Sequence, residues 1–275
     1  MKLSLCVATV LLLGSAATAS AEVTGTVTAV SDYDFRGITQ TSQDPAIQGS
    51  IDYAHDSGFY AGAWASNVDF DVDGDVEVDL YAGFSGGETY PWDVGIVWYT
   101  YPGSDDLYDF PEVYASLGWK WFEGKIWYSS DFGGGPGGDN AFYYEANGTY
   151  ELPAGFGLGA HIGYSDGDFW DDNYGGSYFD WSVGVTYTLS HFDFGLKWVD
   201  GSDLEALDGT PNDVSSSEAR AIFSVSTTFP WSKEYAADPA PGAHPGPAGR
   251  MKRPVSSGGP GVFLSCRDLH VIAPC

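Results

Sequence analysis

The feature that most constrains this chain is a series of short segments, between residues 23 and 229, in which large apolar residues alternate one by one with small or polar ones. A period of two is the signature of a β-strand with two unlike faces. Residues 178–189 show it clearly. Phe179, Trp181, Val183, Val185, Tyr187 and Leu189 fall on one face, and Asp180, Ser182, Gly184, Thr186 and Thr188 on the other. In 191–199, Phe192, Phe194, Leu196 and Trp198 alternate with His191, Asp193, Gly195 and Lys197. In 76–84, Val76, Val78, Leu80, Ala82 and Phe84 alternate with Glu77, Asp79, Tyr81 and Gly83. Segments 59–69 and 125–131 are less decisive, with large residues on both faces.

Turn signals divide the region into twelve expected strands: 23–36, 46–55, 59–69, 76–85, 92–101, 111–120, 125–131, 141–152, 156–164, 178–189, 191–199 and 218–229. Most are near the 9–11 residues with which a tilted strand crosses a bilayer. After the first strand the connections run long, short, long, short. The short ones lie around 56–58, 85–91, 121–124, 153–155 and 190, and the long ones at 37–45, 70–75, 102–110, 132–140, 165–177 and 200–217. Short turns at one end and longer loops at the other are the pattern of outer-membrane barrels. Lipid offers no partner to a free sheet edge, so such a sheet must close on itself.

A soluble sandwich or barrel alternates too. A soluble barrel of this size would need an apolar interior, whereas here the second face is polar or charged in strand after strand. The apolar face is also aromatic near strand ends, at Trp92, Tyr101, Trp119, Phe142, Tyr150, Tyr187 and Trp198, as in interfacial girdles. The fold class expected is all-β: a transmembrane antiparallel up-and-down β-barrel of about 12 strands.

Charge narrows the function. The chain carries 38 acidic and 11 basic residues, a net charge of −27. That excludes nucleic acid as a partner and disfavours docking on an anionic membrane surface. Within 22–231 the only bases are Arg36, Lys120, Lys125, Lys197 and Arg220, against thirty-five acids. Residues 1–21 read as a cleaved signal peptide, with Lys2, the apolar Leu3–Leu13 stretch and the small-residue Ala19-Ser20-Ala21 site. Residues 22–231, which lack cysteine, form the barrel. Residues 232–275, rich in Pro and Gly and holding Cys266 and Cys275, read as a disordered tail, either an appendage or, the reading adopted, an abnormal end.

If the apolar face meets lipid, the other lines a lumen. The expected pore-lining residues are Asp32, Asp34, Arg36, Asp52, Glu77, Asp79, Asp93, Glu112, Lys120, Glu145, Asp180, Asp193, Lys197 and Arg220. Excess carboxylate in a narrow channel favours cations. The leading expectation is a channel for passive diffusion of small polar or cationic solutes. The alternative is a plugged structural or surface-binding barrel. Arg36 is expected to pair with Asp32 and Asp34 and fix the first loop. A third reading, an outer-membrane hydrolase, has only His161 or His191 with Ser182 and Asp193 to draw on, and no motif. Asp69-Phe70-Asp71-Val72-Asp73-Gly74-Asp75 starts like a calcium loop, but its twelfth position is Leu80, not glutamate. Gly133 to Gly138 lacks the lysine of a phosphate-binding loop. No cofactor and no metal is expected.

One block carries a resemblance. Residues 31–40 read Ser-Asp-Tyr-Asp-Phe-Arg-Gly-Ile-Thr-Gln, followed by Ala46-Ile47-Gln48-Gly49, Gly58-Phe59-Tyr60-Ala61-Gly62, Glu77-Val78-Asp79-Leu80-Tyr81-Ala82-Gly83 and Tyr99-Thr100-Tyr101-Pro102-Gly103. This resembles the TorF-type porins of Gram-negative bacteria over about 22–229. The resemblance implies a bacterial outer-membrane barrel and a pore, with no established substrate. It further implies outer-membrane lipid and the barrel assembly machinery as partners; oligomeric state is left open. In such barrels the last strand ends on an aromatic residue read by that machinery. Here this would be Phe229 or Trp231, yet 44 residues follow Trp231.

Overall fold

The computed structural model describes residues 21–202 and 214–231. The expected signal peptide, apart from Ala21, and the expected 232–275 tail lie outside the described residues. The described strands are β1 (Ala21–Val30), β2 (Asp34–Phe35), β3 (Ile38–Thr39), β4 (Ala46–His55), β5 (Phe59–Asn67), β6 (Val76–Gly86) and β7 (Trp92–Thr100). They continue with β8 (Phe110–Trp119), β9 (Phe122–Phe132), β10 (Asp139–Glu151), β11 (Phe156–Asp166), β12 (Tyr178–Leu189), β13 (Phe192–Gly201) and β14 (Arg220–Phe229). One α-helix, α1 (Asp168–Tyr174), lies between β11 and β12.

Twelve of the strands close an antiparallel barrel: β1 pairs with β4 on one side and with β14 on the other, and every strand from β4 onward pairs with its neighbours in sequence. Closure leaves no open edge, the condition for spanning lipid with strands. The outward residues are the apolar ones. Phe179, Trp181, Val183 and Val185 are exposed on β12 while Asp180 is 1% exposed. Trp92, Trp119, Trp121 and Tyr150 ring the short-turn end, and Trp98, Tyr128, Tyr144 and Phe179 sit toward the other. A surface of this kind is stable against hydrocarbon and not against water. The barrel is a transmembrane one.

The two indecisive segments resolve in the same way. Tyr60, Trp64 and Ser66 point inward from β5, and Lys125, Trp127 and Ser129 from β9. Tyr101 corrects an expectation: it turns inward, 4% exposed, instead of joining the outer girdle.

The first strand also departs from expectation. It ends at Val30, and residues 31–45 fold back into the barrel. Within this segment Asp34 pairs with Thr39 and Phe35 with Ile38, so β2 and β3 form a minute hairpin. Its two-residue turn is Arg36-Gly37, with φ of 46° and 86°. Positive φ at both central residues is the type I′ geometry that matches strand twist.

The hairpin does not hang in water. Tyr33, Phe35 and Ile38 join Trp64, Tyr99, Phe110, Trp127, Phe132 and Tyr143 of the wall in one buried cluster. Helix α1 adds Phe169, Trp170 and Tyr174 from above, with Phe169 and Phe132 rings 4.8 Å apart. The long-loop half of the interior is therefore a packed core. This corrects the expectation of a uniformly polar inner face. The short-turn half keeps its polar lining.

Candidate functional site

The site is the junction between the inward hairpin and the inner wall. Its chemistry follows from the strand period. A residue two positions from an inward one is also inward, so Glu77 and Asp79 on β6 share the inner face, as do Glu145 on β10, Asp180 on β12, Lys197 on β13 and Arg220 on β14.

Three grips hold the hairpin. On one side, Tyr33 Oη donates to Glu77 Oε1 at 2.8 Å, and Tyr101 Oη donates to Glu77 Oε2 at 3.1 Å. On the opposite side, Lys197 Nζ reaches Asp34 Oδ2 at 2.7 Å and Arg220 Nη2 reaches Asp34 Oδ1 at 2.9 Å. Arg220 also donates through Nε to Asp32 and through Nη1 to the Gly37 carbonyl at 3.0 Å. At the tip, Arg36 Nη2 donates to Glu112 Oε2 at 2.8 Å, the same oxygen that accepts from Tyr99 Oη at 2.8 Å. Gly37 is needed as a close approach as well as a turn: a Cβ there would stand 2.7 Å from Asp180 Cβ.

Arg36 thus does not pair with Asp32 and Asp34, as expected from sequence proximity. The tight turn aims Arg36 away from its neighbours and across the barrel. The guanidinium of Arg220, which offers several donors in one plane, takes both aspartates instead. The Arg36 guanidinium lies over four rings, with its Cζ 4.3 Å from the Tyr143 centroid, 4.5 Å from Phe35, 5.6 Å from Phe132 and 5.7 Å from Trp127.

Glu77, Asp79 and Glu112 are all fully buried. Both oxygens of Asp79, Oε1 of Glu112 and Nη1 of Arg36 have no hydrogen-bond partner among the described residues. Burying an unpaired ion costs several kcal/mol even after relaxation. The junction therefore holds more carboxyl oxygens than its packing satisfies.

Toward the short-turn end the wall is a ladder of tyrosines and carboxylates. Tyr60 Oη donates to Asp93 Oδ1 at 2.6 Å and touches the Tyr114 hydroxyl. Tyr81 Oη donates to Asp52, which also accepts from Ser50 at 2.8 Å. The Tyr114 ring lies on Gly95 of the neighbouring strand, where a Cβ would meet Tyr114 Cζ at 2.6 Å. The ring packs on that glycine and on Trp127, with centroids 4.5 Å apart. Lys125 Nζ rests over Tyr114 and Trp127 at 4.0 and 4.2 Å.

Glu145 accepts from Trp127 Nε1 at 2.7 Å and from Asn147 Nδ2 at 3.0 Å. Asp180 Oδ1 lies 2.8 Å from His161 Nε2, and Asp193 Oδ1 accepts from Thr188 at 2.6 Å. Among the residues expected to line a pore, Lys120 is the one misplaced. It sits in the exposed turn between β8 and β9, with Nζ 4.4 Å from the Trp119 ring. The turn reverses the chain before the alternation can bring that side chain inward. Asp32, Asp34 and Arg36 are inside, but on the hairpin and not on the wall.

Of the two histidines considered for hydrolysis, His191 stacks on the Trp231 ring with centroids 5.0 Å apart, and His161 is held by hydrogen bonds. His161 Nδ1 meets Asn147 Oδ1 at 2.7 Å, and Nε2 meets Asp180 and, at 2.9 Å, Tyr143 Oη. Neither ring nitrogen faces a serine. Sequence reasoning passed over Tyr33, Tyr99, Tyr101 and Tyr143. For Tyr99, Tyr101 and Tyr143 the signal was a tyrosine at a position where the alternation calls for a polar side chain; Tyr33 falls on the apolar period of its strand and gave none.

Comparison with known proteins gives a family and a fold. A family model described as a bacterial protein of unknown function (Gcw_chp) matches residues 15–229. No curated protein matches this chain. Among solved structures, the NanC porin superposes with a TM-score of 0.50 at 11% identity, covering 74% of this chain and 98% of that one. A structure titled as a study of the in-meso crystallization of membrane proteins also gives 0.50, at 14% identity, covering 78% and 86%. The KdgM porin gives 0.47 at 8% identity, covering 76% and 98%. At such identities the likeness concerns the fold: a 12-strand up-and-down barrel of the outer-membrane porin type.

Proposed function

This chain belongs to the Gcw_chp family of bacterial proteins, and from its barrel we propose a porin-like channel of the bacterial outer membrane that passes small solutes by diffusion and prefers cations. The resemblance of the 31–40 block to TorF-type porins points the same way. The observation that carries the reading is the inner wall. Asp52, Glu77, Asp79, Asp93, Glu112, Glu145 and Asp180 face inward on seven places of a barrel whose inner bases are Arg36, Lys125, Lys197 and Arg220. Three of those bases are already committed to carboxylates. A narrow path of this charge, walled by low-dielectric protein, concentrates cations and repels anions.

The hairpin is the constriction of that passage. It occupies the long-loop half of the lumen and leaves the tyrosine–carboxylate ladder below it. Its full burial also supports a second reading, a sealed barrel whose loops do the work. One experiment separates the two. The refolded chain is inserted into a planar bilayer, and single-channel current and reversal potential are recorded in a salt gradient. Discrete steps with a cation-selective potential are expected. A folded barrel without steps gives the sealed reading, and an anion-selective potential removes the acidic wall as the determinant.

A further inference from the structure

We infer that the box around the tip of the hairpin is a binding site for guanidinium-type organic cations, and that the Arg36 side chain is its tethered occupant. The inference rests on the cation-preferring reading above and names the class of cation.

The walls of the box come from separate parts of the barrel. Glu112 stands on β8, Trp127 and Phe132 on β9, Tyr143 on β10, and Tyr99, which orients Glu112, on β7. Rings at 4.3–5.7 Å around one guanidinium carbon, with a carboxylate at 2.8 Å from its edge, suit a flat, weakly hydrated cation. A metal ion would instead ask for a shell of oxygens, which the three wall rings do not offer.

The box also holds more than Arg36 uses. Glu112 Oε1 and Arg36 Nη1 are both buried and both without a partner among the described residues, so one arm of a two-armed carboxylate–guanidinium pair is unmade. The tether explains this. Arg36 enters from a type I′ turn with φ fixed at 46°, and Gly37 is pressed on Asp180. Held from that turn, the guanidinium meets Glu112 through Nη2 alone. A free guanidinium, without a tether, would bridge both oxygens.

The test is chemical replacement of the tethered cation. Arg36→Ala is made in the full chain, and thermal unfolding is followed in detergent. Methylguanidinium chloride is titrated against sodium chloride at matched ionic strength. Methylguanidinium is expected to raise the midpoint of Arg36→Ala saturably, by about 2–4 °C once it exceeds its dissociation constant tenfold. It should leave the wild type, whose box is filled, and the Arg36→Ala/Glu112→Gln double variant unmoved. No rise, an equal rise with sodium, or an equal rise in the double variant overturns the proposal. Should Arg36→Ala fail to fold alone, the yield of folded barrel on refolding is compared with and without methylguanidinium. A higher yield with it is then expected, and an unchanged yield overturns the proposal. Because the readout is stability, a silent bilayer would sink the channel reading while leaving this site standing, and the reverse outcome is equally visible.

Discussion

Arg220 and Asp34 lie 186 residues apart in the chain and meet at 2.9 Å inside the barrel. The pair joins the last strand to the first loop. Arg220 is the first residue of β14, the strand that closes the barrel on β1, and its guanidinium simultaneously holds Asp32, Asp34 and the Gly37 carbonyl. Of the three grips, this one forms only when the last strand is in place, which couples hairpin docking to closure.

Replacing Arg220 therefore does more than remove an ion pair. Arg220→Ala leaves Asp32 and Asp34 buried with fewer partners, and breaking a buried pair from one side costs about 3–5 kcal/mol. A fall in thermal midpoint should be accompanied by protease sensitivity within 31–45. Arg220→Lys should recover only part of the loss, because an ammonium cannot serve two aspartates and a carbonyl in one plane. Full recovery by lysine would refute the coupling.

The same grip sets an acid limit. Asp34 lies on the hairpin, outside the spanning strands. Burial alone would push its carboxyl up, but the Lys197 ammonium and Arg220 guanidinium outweigh burial and hold it below the ordinary carboxylate range. A depressed folded value means the group stabilises docking above its unfolded pKa of about 3.9 and loses that contribution as pH falls through the folded value. Docking followed by tryptophan fluorescence should hold above about pH 4 and weaken below it. Asp34→Asn should dock less firmly at neutral pH and lose this acid limb. An unchanged limb in Asp34→Asn would assign it to another carboxylate.

The tyrosine ladder predicts a steric effect. In Gly95→Ala the new methyl would overlap the Tyr114 ring, since the heavy atoms nearest to it belong to that side chain. The ring must lift off the wall, breaking its contact with Tyr60 and narrowing the lumen. Overpacking of this kind costs about 1–3 kcal/mol. Stability and single-channel conductance should fall together, and Gly95→Ala/Tyr114→Ala should restore conductance. A conductance that stays low in the double variant would show that the ring is not what narrows the path.

Much of this was legible in the sequence. The alternation marks the strands 46–55 and 178–189 to the residue, and the short–long rhythm of the connections marks the up-and-down barrel. What escaped it has a physical cause. Residues 31–36 alternate polar and apolar like the strand before them, because a hairpin alternates too; the contacts that hold them off the wall, with Glu77, Glu112, Lys197 and Arg220, are all far away in sequence. Tyrosine was the second blind spot. Its ring counts as apolar in a pattern, yet its hydroxyl lets Tyr33, Tyr99 and Tyr101 point inward onto carboxylates. Helix α1, with seven residues, is too short for its spacing to stand out.

Asp79 offers a test in which stability and selectivity move in opposite directions. Its two oxygens are buried and have no partner among the described residues, and Glu77 stands two residues away on the same inner face. Asparagine has nearly the same shape without the charge. In most buried positions loss of an aspartate is destabilising because a partner is stranded. Here no partner among the described residues is stranded, and an unsatisfied, desolvated carboxyl is removed. Asp79→Asn should raise the thermal midpoint of the barrel and lower its cation selectivity, measured as reversal potential in a salt gradient. A lower midpoint would mean that Asp79 has a favourable companion, such as a bound cation or a shared proton, that its carboxylate holds in the membrane.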